Sequence, residues 1–553
     1  MSAVAEAMAL GVKGVVLDVV SLKNGCRKDE LEELATLLRR HNAAVLLLTT
    51  GVDEPENQFL QALTNGVVRG VKYAGNAGSV GFPTVEGNLS GELSSQSYAR
   101  KQSEALGLTI GSGAEDDVVM KLDQAPSFVR VHVGRASVFV WSTERIFDVF
   151  QPLAAEKEFE EAADEYIPAI IFLRFAFGER CWHNPRVGAG IVIDDPLLRK
   201  NYGFIDFPQL LASARKHGYH ITLAFIPWNH WRSRAKEVQL FIDHADCFSI
   251  CAHGCDHTKN EFGSADYASL LRKNVVARER MERHGQRTGL GSEPLMVCPQ
   301  EQYSLEAMRA FSDSRQFLGL VNTACIPRNL TTPQVCAADL LLPAQDSFFG
   351  FPVFKRHYWQ DMSAFAMGLF LGKPAILVEH HEFFRHGPAG VEEFVLRLAE
   401  IRRDVEWTSI SETATRTHLQ RRVAEGRREV RFFTDTFQLE HGLAEPSEYQ
   451  LFRRMPDTTA VKRVVVNGKG APFSRDDGYL TFEVRADRAQ VLNVQVVVPP
   501  VEPTKAYSYE LKYQASVACR RGLSELRDNV IARNPFALKV ATVLMKSMRQ
   551  QGG

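Results

Sequence analysis

The sequence carries no excess of either charge. Lys plus Arg is 65 and Asp plus Glu is 66 in 553 residues, a formal net charge of −1. That balance argues against a chain whose main task is coating nucleic acid, because phosphate binding leaves a strongly basic footprint. No CxxC occurs, and the nine cysteines are scattered and odd in number. A disulfide scaffold is therefore not expected, and a reducing compartment fits better. No apolar run reaches the roughly 18 residues of a membrane span. The opening MSAVAEAMALGVKG lacks a basic segment ahead of an apolar block, so it does not read as a signal peptide. The expected location is the cytoplasm. No internal repeat or low-complexity tract stands out.

What is present is ordinary globular composition, 45% hydrophobic and 24% charged. At roughly 150 residues per domain, the length suggests about three or four domains. The predicted divisions are an α/β domain over 1–183, a (β/α) barrel over 184–425, a β-sandwich-like domain over 426–505 and a basic amphipathic helical tail over 506–553.

Gly14 to Val20 and Ala43 to Thr49 are Val- and Leu-rich runs that read as buried strands. Between them, Leu31, Leu34, Leu37 and Leu38 have helical spacing. Strand, helix, strand implies a parallel sheet. Phe128 to His132 and Ala136 to Trp141 read as a hairpin about Gly134. The Gly-rich pieces at 75–81 and 110–116 lack a phosphate-loop lysine and the GxGxxG spacing, and read as loops.

From residue 188 onward, apolar runs recur: GAGIVI, ITLAFI, CFSICA, LMVC, LGLVN and AILV, with helical spacing between most of them. Repeated strand–helix units predict a parallel (β/α) barrel or an open α/β sheet. Beyond residue 425, Asn467-Gly468 after Val461 to Val466 is a hairpin signal, and further strands follow at Tyr479 to Val484 and Val491 to Val498. These predict a small antiparallel β domain.

Three polar clusters follow strands of the barrel region. Asp194-Asp195 ends GAGIVI; a carboxylate there can bind a metal or act as a base, although Asp-Asp-Pro is also a common turn. His253 and His257 follow CFSICA; on a helical turn, that spacing points both rings the same way. Glu379-His380-His381-Glu382 follows AILV, and a histidine there can serve as a general acid near neutral pH. Together they give a metal one carboxylate and two imidazoles, with a position left open for water.

In these motifs, residues 188–415, about 40% of the chain, resemble the polysaccharide deacetylase (NodB-homology, carbohydrate esterase family 4) domain. VIDDP matches the family's TFDDG at both aspartates. HGCDH stands for H-[ST]-x-x-H, and ILVEHH for the late Leu-x-His. VCPQEQYS keeps Pro299 of the third motif but lacks its arginine, and Gly254 replaces a Ser or Thr. WTSISE reads as a late strand. The resemblance implies a central NodB-like barrel and a metal-dependent hydrolase that removes acetyl groups from an N-acetylated amino sugar of a surface polysaccharide or its precursor. It implies Asp195, His253 and His257 as ligands of one divalent ion, with zinc expected. It implies Asp194 as base and His380 as acid, with His381 the alternative. Gln300 and Glu301 are at hand for the missing arginine.

Trp228, His230, Trp231, Tyr202 and Trp359, with Phe383, follow strand ends, where aromatic faces can stack on sugar rings. Gln300 is a further substrate-binding candidate, and Glu261 and Phe262 are placed to shape the same mouth. Asp256 is expected to orient a ligand histidine. Cys247, Cys251 and Cys255 read as buried apolar residues. Carbohydrate is the expected partner. Arg520 to Gln550 has seven basic and two acidic residues, with Leu523, Leu526, Val530 and Ile531 on one face. Such a helix can rest on an anionic membrane surface or pack on its own chain. Two rival functions remain at this point. One is a glycoside hydrolase using Asp194 and Glu379 without metal. The other is a non-catalytic glycan-binding barrel in a polysaccharide-synthesis complex.

Overall fold

The computed structural model describes residues 11–85, 87–114, 117–504 and 510–534. The tail beyond Asn534 and part of the Gly-rich piece at 110–116 lie outside the described residues. The chain forms two compact units.

The first unit, Met1–His183 with two short returns, is built on a seven-stranded sheet. Its strands are β1 (Gly14–Asp18), β2 (Ala44–Thr49), β3 (Val68–Gly81), β4 (Ser97–Ile110), β5 (Val118–Leu122), β6 (Ala125–Val133) and β7 (Ala136–Ser142), in the order β1-β2-β7-β6-β5-β3-β4. Only β1, β2 and β7 are parallel; the remainder pair antiparallel. β1 and β2 pair in parallel, as the strand–helix–strand pattern predicts, and the expected β6–β7 hairpin at Gly134 makes the sheet as a whole mixed. The first apolar run is also shorter as a strand than expected. The Asp18 carboxylate accepts from the Val20 and Ser21 N–H groups and starts helix α1 (Val19–Gly25). The glycines at 75–81 lie within β3, not in a loop.

The second unit holds a closed barrel of seven parallel strands: β8 (Gly188–Asp194), β9 (Ile221–Phe225), β10 (Phe248–His253), β11 (Glu293–Val297), β12 (Gly319–Asn322), β13 (Val353–His357) and β14 (Ala375–His380). β8 closes the ring by pairing with both β9 and β14. Helices cover the strands outside, so most strand residues are buried on both faces and read as continuous apolar runs. The core includes Val192, Ala224, Cys251, Leu295, Val321, Phe354 and Ile376. Ile410 and Ala414 join that core from helix α2 (Ile410–Arg416), whose N-terminus is capped by Ser409. The expected strand WTSISE is therefore only Glu406–Trp407, since Ser409 turns the chain into a helix.

The strands after the barrel include Arg427–Phe432, Ser447–Arg454, Tyr479–Ala486 and Val491–Val497, divided between two sheets. One pair, Arg427–Phe432 with Ser447–Arg454, is parallel, so this part is not wholly antiparallel. Helix α3 (Leu511–Leu526) then lies against the barrel mouth through Val517 and Arg521, while Leu523, Leu526 and Val530 are exposed. No helix among the described residues is long and apolar enough to cross a membrane.

Candidate active site

Asp194 is the last residue of β8, and its register partner on β14 is His380. His253 is the last residue of β10. Parallel strands with the same sense thus deliver all three to one rim, the carboxyl end where such barrels carry chemistry.

Asp195, one residue beyond β8, sits at φ +80°. A non-glycine residue there costs about 1–3 kcal/mol and persists only when its surroundings hold it. Its Oδ1 lies 3.1 Å from His257 Nε2 and 3.6 Å from His253 Nε2. That oxygen is buried and has no hydrogen-bond partner. The His253 Nδ1 lies 3.1 Å from the Val297 carbonyl, so it carries the ring proton and leaves Nε2 with a free lone pair. Burial lowers the His253 pKa to about 4, which keeps it neutral. For Asp195, burial raises the pKa, but the facing His257 outweighs it and holds the carboxyl well below its usual value. A donor set of one carboxylate and two imidazoles, all within 4.8 Å of one another, fits a divalent ion of zinc type.

The four-residue spacing of the histidines does not come from a helical turn. His253 ends a strand, Gly254 takes φ +65° and His257 takes φ +55°. Glu261 organises this loop: its carboxylate accepts from the N–H groups of Cys255 (3.1 Å), Asp256 (2.8 Å) and His257 (3.0 Å). A Cβ on Gly254 would lie 2.4 Å from Glu261 Oε2 and 2.5 Å from Pro299 Cγ. Glycine at this position therefore follows from both its backbone angle and the lack of space.

Asp194 is buried, and both its oxygens are bound by one guanidinium. Arg356 Nη1 donates to Oδ1 and Nη2 to Oδ2, each at 2.8 Å. Burial raises the Asp194 pKa, yet the Arg356 guanidinium beside it outweighs burial and holds the carboxylate below its ordinary value. Arg356 comes from β13, a strand that the sequence reading missed. Its signal was weak, because PVFKRHY places two cations where a buried strand is expected to be apolar. Gln300 and Glu301 do not take this role: the Gln300 side-chain oxygen accepts from Asn260 N–H, and the Glu301 carboxylate accepts from Tyr358 OH, each at 3.0 Å.

These groups open into a cavity of about 660 Å³ lined by Asp194, Asp195, His253, His257 and His380, with Tyr202, Gln300 and Tyr358. Helix α3 forms one wall. Tyr513 OH donates to Asp256 at 2.8 Å, and Arg232 binds Glu525 through both nitrogens. Just beyond α3, the Asn529 side-chain oxygen accepts from Gly203 N–H at 2.8 Å.

Family 4 carbohydrate esterases are among the solved structures similar to this chain. One from Streptomyces lividans, in complex with acetate, is 14% identical, covering 41% of this chain and 93% of its own at a TM-score of 0.25. An acetyl xylan esterase of the same family from Clostridium thermocellum, in complex with a cobalt ion, is 13% identical, covering 41% and 90% at 0.26. A peptidoglycan deacetylase from Bacillus subtilis is 12% identical, covering 41% and 90% at 0.24. No family model matches the sequence, and no curated protein matches it.

Several expected site residues stand elsewhere. His381 does not line the cavity; its Nε2 lies 3.3 Å from Asp528 Oδ1, and its ring meets Tyr202 and Phe204. Asp256 orients no histidine: its oxygens are taken by Arg280 (2.6 Å) and Tyr513. Trp228 is spent on Arg280, 5.2 Å over its ring, and its backbone N–H donates to the Cys255 carbonyl. His230 Nδ1 folds back on the Pro227 carbonyl, and Trp231 is 62% exposed beside Arg232. Trp359 packs on Phe383, and its backbone N–H donates to the Glu379 carboxylate. Alternation along β14 turns Glu379 away from the cavity that His380 lines, so Glu379 and Asp194 do not form a facing pair.

Cys255, Asp256 and Glu261 form a second close group. Its oxygens are consumed by the loop N–H groups, Arg280 and Tyr513, and burial pushes the Cys255 thiol well above its usual pKa. It is loop architecture. Cys247, Cys251 and Cys255 are buried and free.

Proposed function

We propose that the barrel is a metal-dependent hydrolase that removes an acetyl group from an N-acetylated amino sugar. The observation that carries this reading is the unpartnered, buried Asp195 Oδ1 facing two imidazole Nε2 atoms, with Asp194 and His380 on the same rim. Asp195, His253 and His257 would hold the ion, zinc by donor chemistry. A divalent ion there supplies Lewis acidity toward a water and the acetyl carbonyl.

The chain's own residues do the rest. Asp194, ionised and aligned by Arg356, takes the proton from the attacking water. His380, on the neighbouring strand of the same rim, gives a proton to the departing amine nitrogen. Tyr202, Gln300 and Tyr358 line the space a sugar would fill. A paired-carboxylate glycosidase is disfavoured, because Glu379 faces away from the cavity that Asp194 lines.

The Asp194→Asn variant tests the assignment. It is expected to bind one zinc equivalent, as wild type does, and to release no acetate. Loss of zinc from that variant, or retained turnover, would contradict the separation of base from ligand.

A further inference from the structure

The cavity has a charge pattern that deacetylation alone does not require. Its wall on α3 presents Arg520 and Arg521, with Arg527 beyond them, and Lys259 lines it from the loop after His257. The carboxylates around the cavity are already engaged. Asp194 is held by Arg356, and Glu301 by Tyr358. Asp528 is held by Arg527, Tyr202 and His381, and Glu525 by Arg232. Asp195 belongs to the ligand set. Arg520, Arg521 and Lys259 form no ion pair with any of them.

Arg521 is 6% exposed, and its Nε is buried without a hydrogen-bond partner. Its Nη2 touches only Ser524 Oγ at 3.4 Å and His257 Nδ1 at 3.2 Å. A buried guanidinium with unmet donors, beside a second one, is suited to binding phosphoryl oxygens.

We propose that the substrate is an N-acetylated amino sugar bearing a phosphate or diphosphate, with Arg520 and Arg521 holding the phosphoryl oxygens. This rests on the deacetylase reading of the same cavity. The helix that supplies the arginines also closes one side of the mouth, which favours a small phosphorylated sugar over the interior of a long polymer.

Calorimetric titration of the metal-stripped full chain tests the site apart from catalysis. The probes are N-acetylglucosamine, its 1-phosphate and its uridine diphosphate conjugate. At least one phosphorylated probe is expected to bind about tenfold or more tighter than the neutral sugar, and which one does so assigns monophosphate or diphosphate. Arg520→Gln, on a half-buried residue without hydrogen bonds to lose, is expected to remove much of that advantage. Arg521→Gln should remove the rest. Equal affinity for all three probes, or an advantage that survives in both variants, overturns the proposal. Acetate release with metal restored separates the two readings. Phosphate selectivity without acetate release leaves the anion site and rejects the hydrolase; acetate release with equal KM for neutral and phosphorylated sugars does the reverse.

Discussion

Arg356 and Asp194 meet as a fully buried, two-bond ion pair, with both contacts at 2.8 Å, across 162 residues of sequence. A guanidinium held this way fixes both the ionisation and the aim of the carboxylate. Arg356→Met is expected to cut turnover by roughly 10²-fold or more, the scale of general-base catalysis. It should also destabilise the fold by about 3–5 kcal/mol, because it leaves a buried charge unpaired. Zinc stoichiometry should not change. Arg356→Lys, which keeps the charge but not the fork, should recover more stability than activity. Steady-state kinetics beside chemical denaturation would check both.

The loop between the two histidines is expected to be intolerant. Gly254→Ser adds a side chain where Glu261 and Pro299 already lie within 2.5 Å, at a backbone angle that favours glycine. It should lower the melting temperature and weaken zinc binding together. Glu261→Gln, which keeps the shape but loses the charge that gathers three N–H groups, should cost roughly 10–100-fold in zinc affinity.

If Asp195, His253 and His257 hold the ion, zinc stabilises the folded chain. At about 100 times its Kd, the added stability is about 2.7 kcal/mol. His253→Ala should show no such gain in thermal denaturation with and without zinc.

Glu293 opens β11 on the side of the barrel away from the cavity. Burial raises its carboxyl to about 7 from 4.5, against the opposing bonds from Ser249 and the Ser411 N–H. A raised carboxyl destabilises the fold once it must ionise, so the cost is absent below pH 4.5 and grows as the pH rises toward 7. Glu293→Gln should therefore be more stable than wild type at pH 8, by about 3 kcal/mol. The difference should vanish near pH 4.5. Urea denaturation across that range would show it.

How far the sequence could be read depended on whether a residue's role was local. Six of the seven barrel strands were visible, since strands buried on both faces leave unbroken apolar runs. β13 was not, because Lys355 and Arg356 interrupt its run; Arg356 is tolerated inside only through a partner 162 residues away. The ligand candidates stood out by type and by position after strands. Their geometry did not, because the histidine spacing relies on positive φ at Gly254 and His257 and on Glu261, none of which a helical-turn argument contains. The tryptophans misled for a related reason: composition gives an aromatic its chemistry, but not the cation or carbonyl it packs against. The placement of α3 over the cavity rests on long-range bonds such as Tyr513 to Asp256, which leave no trace in local pattern.

Acetate release is the most direct test of the central claim. The metal-stripped chain should release none from an N-acetylated amino sugar. Titrated with zinc, it should gain activity up to one equivalent and then level off. Undiminished release by the stripped chain, or none with zinc or any other divalent ion on neutral and phosphorylated sugars alike, would contradict the account.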